Sequence, residues 1–557
     1  MRCATVMGVA FMFLSAGSCP QSKAKTNVTD TKACAALAGA RKQPWSVNSA
    51  EFVHPPFTVT IRGGHDTGKN VTVSVPFCRV IGTVKPTRES DIRFEVWLPP
   101  RAVWNGKFEG VGSGASLGNI QYRALARGVM RGYATVATDN GHQSGDNPFD
   151  WSWALGHPRR IVDFGYRAEH TVTLAGKVLT RRYYHRAPQH SYFVGCSQGG
   201  HHAFMEAERF PEDYDGIVAG APAYSWTGEM TGQAWNARVL SQTFEGALSP
   251  QKLELLYQAV AKACAGVDGL INDPRQCSFD PAAIECKGTD QGSCLTHEEA
   301  AAVSKMYEGP KSSTGAQVYP GLTRGGESAW DRLWSDPKKL GGSGLSFYRF
   351  VVSENPEWEP SMLNFDRDPA AAKRKVSDSL DADKPDLSRF AERGGKIIVY
   401  HGWGDDMVPS QVSIDYYASV EAQMGTVRLE NFFRLFMIPG MGHCGGGPGA
   451  NIIFRSEQAT AVPLSPDRDL LTALEHWVEH GRAPSNFVAS RLNKEGAIER
   501  THLVCAYPNT AKYRGTGDVN NSENWACSSE PAPPRSGQPM DRQTNSHGQQ
   551  FGFQMMR

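Results

Sequence analysis

Tyr192-Phe193-Val194-Gly195-Cys196-Ser197-Gln198-Gly199-Gly200-His201-His202-Ala203-Phe204-Met205-Glu206-Ala207 is the stretch on which the reading of this chain turns. Its first residues are bulky and apolar, as a buried strand requires, and its last ones suit a helix. Between them, Gly195-Cys196-Ser197-Gln198-Gly199 sets a serine among small residues. Such a turn is sharp enough to lift the hydroxyl above a sheet. The following helix would aim its N-terminal N–H groups at the serine, where they favour developing negative charge. A purely structural glycine turn would share the letters but not this context.

Working outward, apolar strand segments alternate with helical ones. Tyr133–Thr138 reads as a strand, residues 164–184 as a helix, Tyr192–Gly195 as a strand, residues 199–210 as a helix and Asp215–Pro222 as a strand. Alternation of this kind predicts a mainly parallel sheet covered on both faces. Upstream, Phe57–Ile61 and Ile92–Leu98 alternate and favour β-branched residues, which predicts an antiparallel start to that sheet. After Pro222 the pattern gives way to Trp, Gly, Pro and short cysteine loops until about Asp383, then resumes at Lys396–Tyr400 and Phe433–Ile438, with a helix over 467–481. The expected organisation is therefore a leader over 1–18, a core in two parts (19–223 and 384–530), an inserted lid over 224–383 and a disordered tail over 531–557.

A serine hydroxyl needs a base, usually His, whose tautomer is held by a carboxylate, and α/β-hydrolases supply them in the order Ser, Asp or Glu, His. Downstream of Ser197, the strand ending at Tyr400 runs into His401-Gly402-Trp403-Gly404-Asp405-Asp406. Acidic residues thus fall at a strand's carboxyl end, where α/β sites are built, and Asp405 is preferred over Asp406. The strand ending at Ile438 runs into Pro439-Gly440-Met441-Gly442-His443-Cys444, a flexible loop able to carry the base, His443. His201 and His202 fall on the helix after the serine and His142 precedes it, so each reads as structural.

A second match, Gly114-Ala115-Ser116-Leu117-Gly118, is as good by letters. It follows a strand near Phe108 in a glycine-rich run, early in the sheet, where this fold places a loop that donates an N–H to the oxyanion. Gly114 is read as that donor and Ser116 as a decoy.

Lys plus Arg number 58 and Asp plus Glu 57, giving a net charge of +1 with no basic blocks, which argues against a nucleic-acid partner. Arg2, the apolar run Val6–Leu14 and the small residues after it have the order of a secretory signal, too short to span a bilayer. A secreted or periplasmic protein is expected, with lipid attachment at Cys19 the lesser alternative. If Cys3 and Cys19 leave with the leader, ten cysteines remain, an even set suited to disulfides in an exported chain. Cys196 precedes the proposed nucleophile and Cys444 follows the proposed base, so contact between Ser197 and His443 would bring the two thiols near bonding distance; the alternative is that each pairs elsewhere.

Taken together, Trp104-Asn105-Gly106-Lys107-Phe108, Gly112-Ser113-Gly114, Ala137-Thr138-Asp139-Asn140-Gly141-His142, Gly195–Gly200, Tyr214–Pro222, Tyr400-His401-Gly402-Trp403 and Pro439–Cys444 resemble the tannase and feruloyl esterase family. The enzyme that hydrolyses mono(2-hydroxyethyl) terephthalate is also similar. The resemblance runs from Cys34 to Cys527 and implies an α/β-hydrolase fold with a large inserted lid, a Ser197, Asp405, His443 triad, and an oxyanion hole of the Gly114 and Gln198 N–H groups. It also implies the pairs Cys196–Cys444, Cys34–Cys78, Cys264–Cys277, Cys286–Cys294 and Cys505–Cys527. No cofactor is implied for catalysis.

The family's structural calcium is held by an Asp-rich loop, and here Cys264-Ala265-Gly266-Val267-Asp268-Gly269-Leu270-Ile271-Asn272-Asp273 departs from it. Only Asp268 and the Leu270 carbonyl carry over, with Asn272 or Asp273 as compensating ligands. The implied substrates are esters of aromatic acids, small or attached to plant polysaccharide or polyphenol, with a feruloyl ester ahead of a galloyl ester and of a terephthalate monoester. Trp330, Trp334, Phe347, Tyr348 and Trp358 are possible ring contacts in the lid, against the plainer reading that they form its core. An amidase on the same fold, or a binding protein that retains the scaffold, are the rival functions.

Overall fold

The computed structural model describes residues 28–64, 66–243, 247–289, 292–331, 342–456 and 459–529. The expected leader, Cys19, the tail over 531–557 and Trp334 lie outside them.

Ten strands form the main sheet: β1 (Arg41–Lys42), β2 (Trp45–Val53), β3 (Phe77–Val84), β4 (Ile92–Leu98), β5 (Lys107–Val111), β6 (Ala134–Thr138), β7 (His190–Cys196), β8 (Gly216–Gly220), β9 (Lys396–Gly402) and β10 (Phe433–Ile438). Their spatial order is β1-β2-β3-β4-β6-β5-β7-β8-β9-β10. From β1 to β4, and between β4 and β6, neighbours run antiparallel; from β6 to β10 they run parallel. The sheet is thus mixed, with only its second half wound as a parallel sheet. The antiparallel start lies in β2, β3 and β4, whereas Phe57–Thr60 pairs with Asn70–Val73 in a separate hairpin.

The parallel strands are buried on both faces, which is why they read as apolar runs: every residue of β6 and β8 is buried. On one face pack α1 (Ala168–Tyr184) and α2 (Gln198–Arg209), with Val172, Leu179, Phe204 and Met205 inside a core shared with Phe108, Phe193 and Ile217. Apolar burial of each such side chain is worth roughly 1.5–3 kcal/mol. The other face is covered by α5 (Leu470–His480), whose Leu470, Leu474 and Trp477 pack on Tyr192, Val218 and Ile398.

Between β8 and β9 the chain makes a long helical excursion beginning with α3 (Trp226–Leu240). Its two ends are tied together at a neck: Ser225 bridges Asp381, whose carboxylate accepts from Thr227 N (2.9 Å) and Thr227 Oγ1 (2.8 Å). One apolar cluster within the excursion gathers Leu240, Leu256, Val303, Met306 and Trp330. Another joins Trp226, Phe347, Tyr348 and Trp358 to Trp151 and Phe164 of the preceding chain, so the excursion is seated on the sheet domain by a continuous aromatic layer. After β9 comes α4 (Gln411–Met424), and two small hairpins close the described chain.

Five disulfides are formed, Cys34–Cys78, Cys196–Cys444, Cys264–Cys277, Cys286–Cys294 and Cys505–Cys527. Among the described residues no helix is long and apolar enough to cross a membrane.

Candidate active site

Ser197 sits between β7 and α2 with φ 63° and ψ −118°, a conformation that costs an L-residue about 1–3 kcal/mol. Close packing of glycines holds it there. A Cβ on Gly195 would meet the Gly199 carbonyl carbon at 2.5 Å, and one on Gly112 would meet the Gly199 Cα at 2.4 Å. Ser197 N donates to Gly220 O (2.9 Å) and Ser197 O accepts from His201 N (2.9 Å), so the turn is pinned to the next strand and to its own helix. As the N-cap of α2, Ser197 stands at the positive end of that helix.

The loop after β9 carries Asp405, fully buried. Its Oδ1 accepts from Met407 N and Val408 N, each at 2.8 Å, and its Oδ2 is 2.8 Å from His443 Nδ1. His401 Nε2 stands 3.2 Å from the same Oδ2, while His401 Nδ1 is held by Ser413 Oγ at 2.8 Å. Burial alone would raise the Asp405 carboxyl, but His443 and His401 outweigh it and hold the group well below the usual carboxylate range. Asp405 therefore stays ionised and fixes the His443 ring with Nε2 turned away from it. Asp406 is also buried, but the carboxylate hydrogen-bonded to the imidazole is that of Asp405. The role of His401 was not legible in the sequence, where it read as the first residue of the loop after Tyr400; its spacing of four from Asp405 is the local signal.

The Asp405 and His443 loops are bonded to each other, with Trp403 N on Ile438 O and Gly404 N on Met441 O, both 2.9 Å. The Cys196–Cys444 bridge, with a Cα separation of 5.9 Å, joins the residue before Ser197 to the residue after His443. Three segments far apart in sequence are thereby locked into one group.

The glycine-rich loop after β5 lies beside the elbow: Ser113 O accepts from Gly199 N at 2.8 Å. In the amide orientation that satisfies its neighbours, the Gln198 side chain donates to Ala115 O (3.0 Å) and Gly114 O (3.3 Å). Gln198 thus ties the two proposed oxyanion segments together through its side chain, and as the first residue of α2 its N–H lies in the turn that has no intrahelical acceptor. Ser116 is buried elsewhere: its Oγ donates to Pro148 O at 2.7 Å.

The other histidines have structural settings. His142 stacks on Trp153 (3.9 Å) with Nε2 on Ser116 O (3.0 Å), and burial pulls it down to about 4. His202 Nε2 lies 2.9 Å from Phe164 O, and His201 is sealed on the same helix, its pKa pulled well down by burial.

A cavity of about 20 Å³ opens on Ser197, lined by Phe149, Ala223, Trp226, Met230, Met407 and Val408 with Glu229, Gln233 and Ser343 at its polar side. The proposed lid ring contacts are not there. Trp330, Phe347, Tyr348 and Trp358 are buried in the two apolar clusters of the excursion, because large rings adjacent in sequence to its helices are what its core is made of. Phe149 and Trp226 take their place beside the serine, and sequence reasoning passed over both. Phe149 lies in a turn and Trp226 is the first residue of α3, so neither falls within a periodic apolar run that would mark it.

A strained serine at a helix N-terminus, an imidazole oriented by an ionised carboxylate and a glycine loop alongside are the parts needed for acyl transfer. Residues 78–528 match the tannase and feruloyl esterase profile. The chain belongs to the tannase and feruloyl esterase family. An uncharacterized esterase of Xanthomonas campestris pv. campestris is 34% identical over 543 residues, 91% of this chain and 93% of that protein. Feruloyl esterase B of Aspergillus niger is 32% identical over 471 residues, 82% of this chain and 88% of that protein. The crystal structure of feruloyl esterase B from Aspergillus oryzae superposes with a TM-score of 0.81 at 29% identity, covering 90% of this chain and all of that one. The protein is a serine carboxylesterase with an α/β-hydrolase fold.

This member of the tannase and feruloyl esterase family does not present a donor set that fits the calcium ion implied by the resemblance. The Leu270 carbonyl already accepts from Gly266 N (2.8 Å), and the Asp273 carboxylate is spent on Arg275 (2.8 Å) and Gln276 (3.2 Å). That leaves the second lone pair of the Leu270 carbonyl together with Asp268 Oδ2 and Asn272 Oδ1, buried oxygens without hydrogen bonds: three donors, short of the roughly six to eight that calcium takes. His502 Nδ1 stands 3.6 Å from that same Asp268 oxygen, and Arg500 donates to the Asp268 carbonyl at 3.4 Å. Elsewhere, His170, Glu206 and Asp213 bring ligand atoms within 4.8 Å of one another, but the Lys177 ammonium, donating to Asp213 O, already supplies positive charge there.

Proposed function

We propose that the chain is a secreted esterase of aromatic acids that works through an acyl-enzyme on Ser197, with a feruloyl-type ester as its substrate. The observation that carries this reading is the His443–Asp405 hydrogen bond at 2.8 Å on a loop disulfide-linked to the residue before Ser197. His443 takes the Ser197 proton as Oγ attacks the ester carbonyl. The Gly114 and Gln198 N–H groups receive the oxyanion, and the imidazolium, stabilised by Asp405, then protonates the departing alcohol. Water activated by the same imidazole releases the acid and restores the serine.

The aromatic acyl preference is supported by Phe149 and Trp226 in the lining and by the relatives named as feruloyl esterase B. At about 20 Å³ the cavity holds roughly one water, so an aromatic acyl group enters as lining side chains give way. Met230 and Met407, unbranched and flexible, are suited to do so. Five disulfides support an oxidising compartment, since such bonds do not persist in a reducing cytosol. No metal has a part in this mechanism.

Release of acid from methyl ferulate, methyl gallate and a terephthalate monoester, each beside its matched amide, tests the proposal. Ferulate ester as the best substrate and little amide turnover are expected. A protein inert on all three esters would sink the aromatic-ester reading, and gallate or terephthalate as the best would move the acid assignment.

A further inference from the structure

Glu229 lies in the first turn of α3, is buried, and lines the same cavity as Ser197. Its Oε1 accepts from Gln233 Nε2 (2.7 Å) and its Oε2 from Tyr319 Oη (3.0 Å), two neutral donors. Gln233 is itself oriented by Ser343, whose N–H donates to Gln233 Oε1 at 3.0 Å, and Ser343 Oγ accepts from Trp151 Nε1 at 2.5 Å. A chain of hydrogen bonds reaching from Trp151 thus holds the carboxyl group in one orientation. A carboxylate offers about four acceptor positions, and two are filled here. None of the described residues lining the cavity is Lys or Arg.

We infer that Glu229 is the specificity residue of the acyl pocket and accepts a hydrogen bond from a hydroxyl on the aromatic ring of the acid. The apolar side chains of Phe149, Trp226, Met230 and Met407 would flank the ring, leaving the polar side of the cavity to meet its hydroxyl. Burial, reinforced by the nearby Asp405 carboxylate, pushes the Glu229 carboxyl up to about 7 in spite of its two donors and the His443 imidazole. An acid without the hydroxyl leaves this buried group unmatched, which disfavours it roughly ten- to a hundredfold. A terephthalate monoester brings a second carboxylate against the first and is disfavoured further. This inference rests on the aromatic-ester reading and names, within it, a phenolic acid.

The test is the ratio of kcat/KM for methyl ferulate over methyl cinnamate, each corrected for its alkaline hydrolysis rate, with p-nitrophenyl acetate as a third substrate. Because both esters are read on the same preparation, the ratio is immune to partial misfolding of a variant. A wild-type ratio of about ten or more is expected, falling several-fold in Glu229→Gln and to about one in Glu229→Leu, with the terephthalate monoester gaining on ferulate in both. A wild-type ratio near one with good turnover of both esters, or an unchanged ratio in both variants, overturns the assignment of Glu229 and leaves the aromatic-ester reading standing. Hydrolysis of p-nitrophenyl acetate with neither aromatic ester cleaved overturns both.

Discussion

Gly114-Ala115-Ser116-Leu117-Gly118 and Gly195-Cys196-Ser197-Gln198-Gly199 share a pattern of letters but not a backbone. In the second the left-handed residue is the serine itself (φ 63°); in the first it is the neighbour, Ala115 (φ 51°). That displacement by one residue decides where each hydroxyl goes. Ser197 faces a cavity, and the residue before it, Cys196, is disulfide-bonded to the histidine loop at Cys444, whereas Ser116 donates both its N–H (3.0 Å) and its hydroxyl (2.7 Å) to the Pro148 carbonyl. One serine keeps its hydroxyl available and the other consumes it in holding a loop. The two are nonetheless joined, since Gln198 of the second pentapeptide donates to Gly114 and Ala115 of the first. The same pattern of letters therefore supplies a nucleophile or an anchor according to which of its residues takes the positive φ.

The sharpest break of this contrast is Ser197→Ala, for which kcat on the best ester should fall by roughly 10⁴-fold or more, as when a nucleophile acting with its base is removed. Residual turnover above about a tenth of wild type would mean that another group attacks the ester. Next in size, Asp405→Asn should lower kcat by about 10³–10⁴ because the amide favours the wrong imidazole tautomer. Asp406→Asn should cost far less, and single-turnover rates for the two variants compare them directly. A reversal of their order would move the orienting carboxylate to Asp406.

A third test concerns the anchor side. His142, which props the Ser116 carbonyl, titrates near 4 when folded against an ordinary value of 6.5. Between those values the unfolded chain binds the proton and the folded chain does not, so stability falls as pH drops from about 6.5 to 4. The loss through this group is at most about 3 kcal/mol. Urea midpoints across that window should show a shallower slope in His142→Gln; an identical slope would mean that other groups govern the acid side. The smallest effect belongs to Ser116→Ala, with turnover within about threefold of wild type and about 1 kcal/mol of stability lost in urea unfolding, since Pro148 O keeps its bond from the backbone N–H. A loss of turnover as deep as that of Ser197→Ala would show that the contrast has been drawn the wrong way round.

Much of this was open to inspection in the sequence. Strands β6 to β10 announce themselves as apolar runs because a parallel strand is buried on both faces, and β10 coincides with Phe433–Ile438 as read. The antiparallel half was harder. Phe57–Thr60 has the alternation of a sheet strand, but alternation reports a half-buried strand without naming its partner, and that segment pairs in a hairpin of its own. The lid rings took the plainer of their two readings: composition marks Trp330 and Phe347 as large and apolar, which suits a core as well as a binding surface, and they lie in the core.

What the sequence determined by itself is the strand, turn and helix around Ser197, and the chain order in which a serine, an acidic loop and a histidine loop follow strand ends. These are local properties, set by side-chain volume and backbone freedom over a few residues. Tertiary structure alone decided that His401 stands against the Asp405 carboxylate, and that Glu229 and Phe149 look into the same cavity as Ser197. Each of those depends on the direction of one side chain across elements distant in sequence, which no periodicity encodes and which only the packed sheet and its helical excursion bring to a single place.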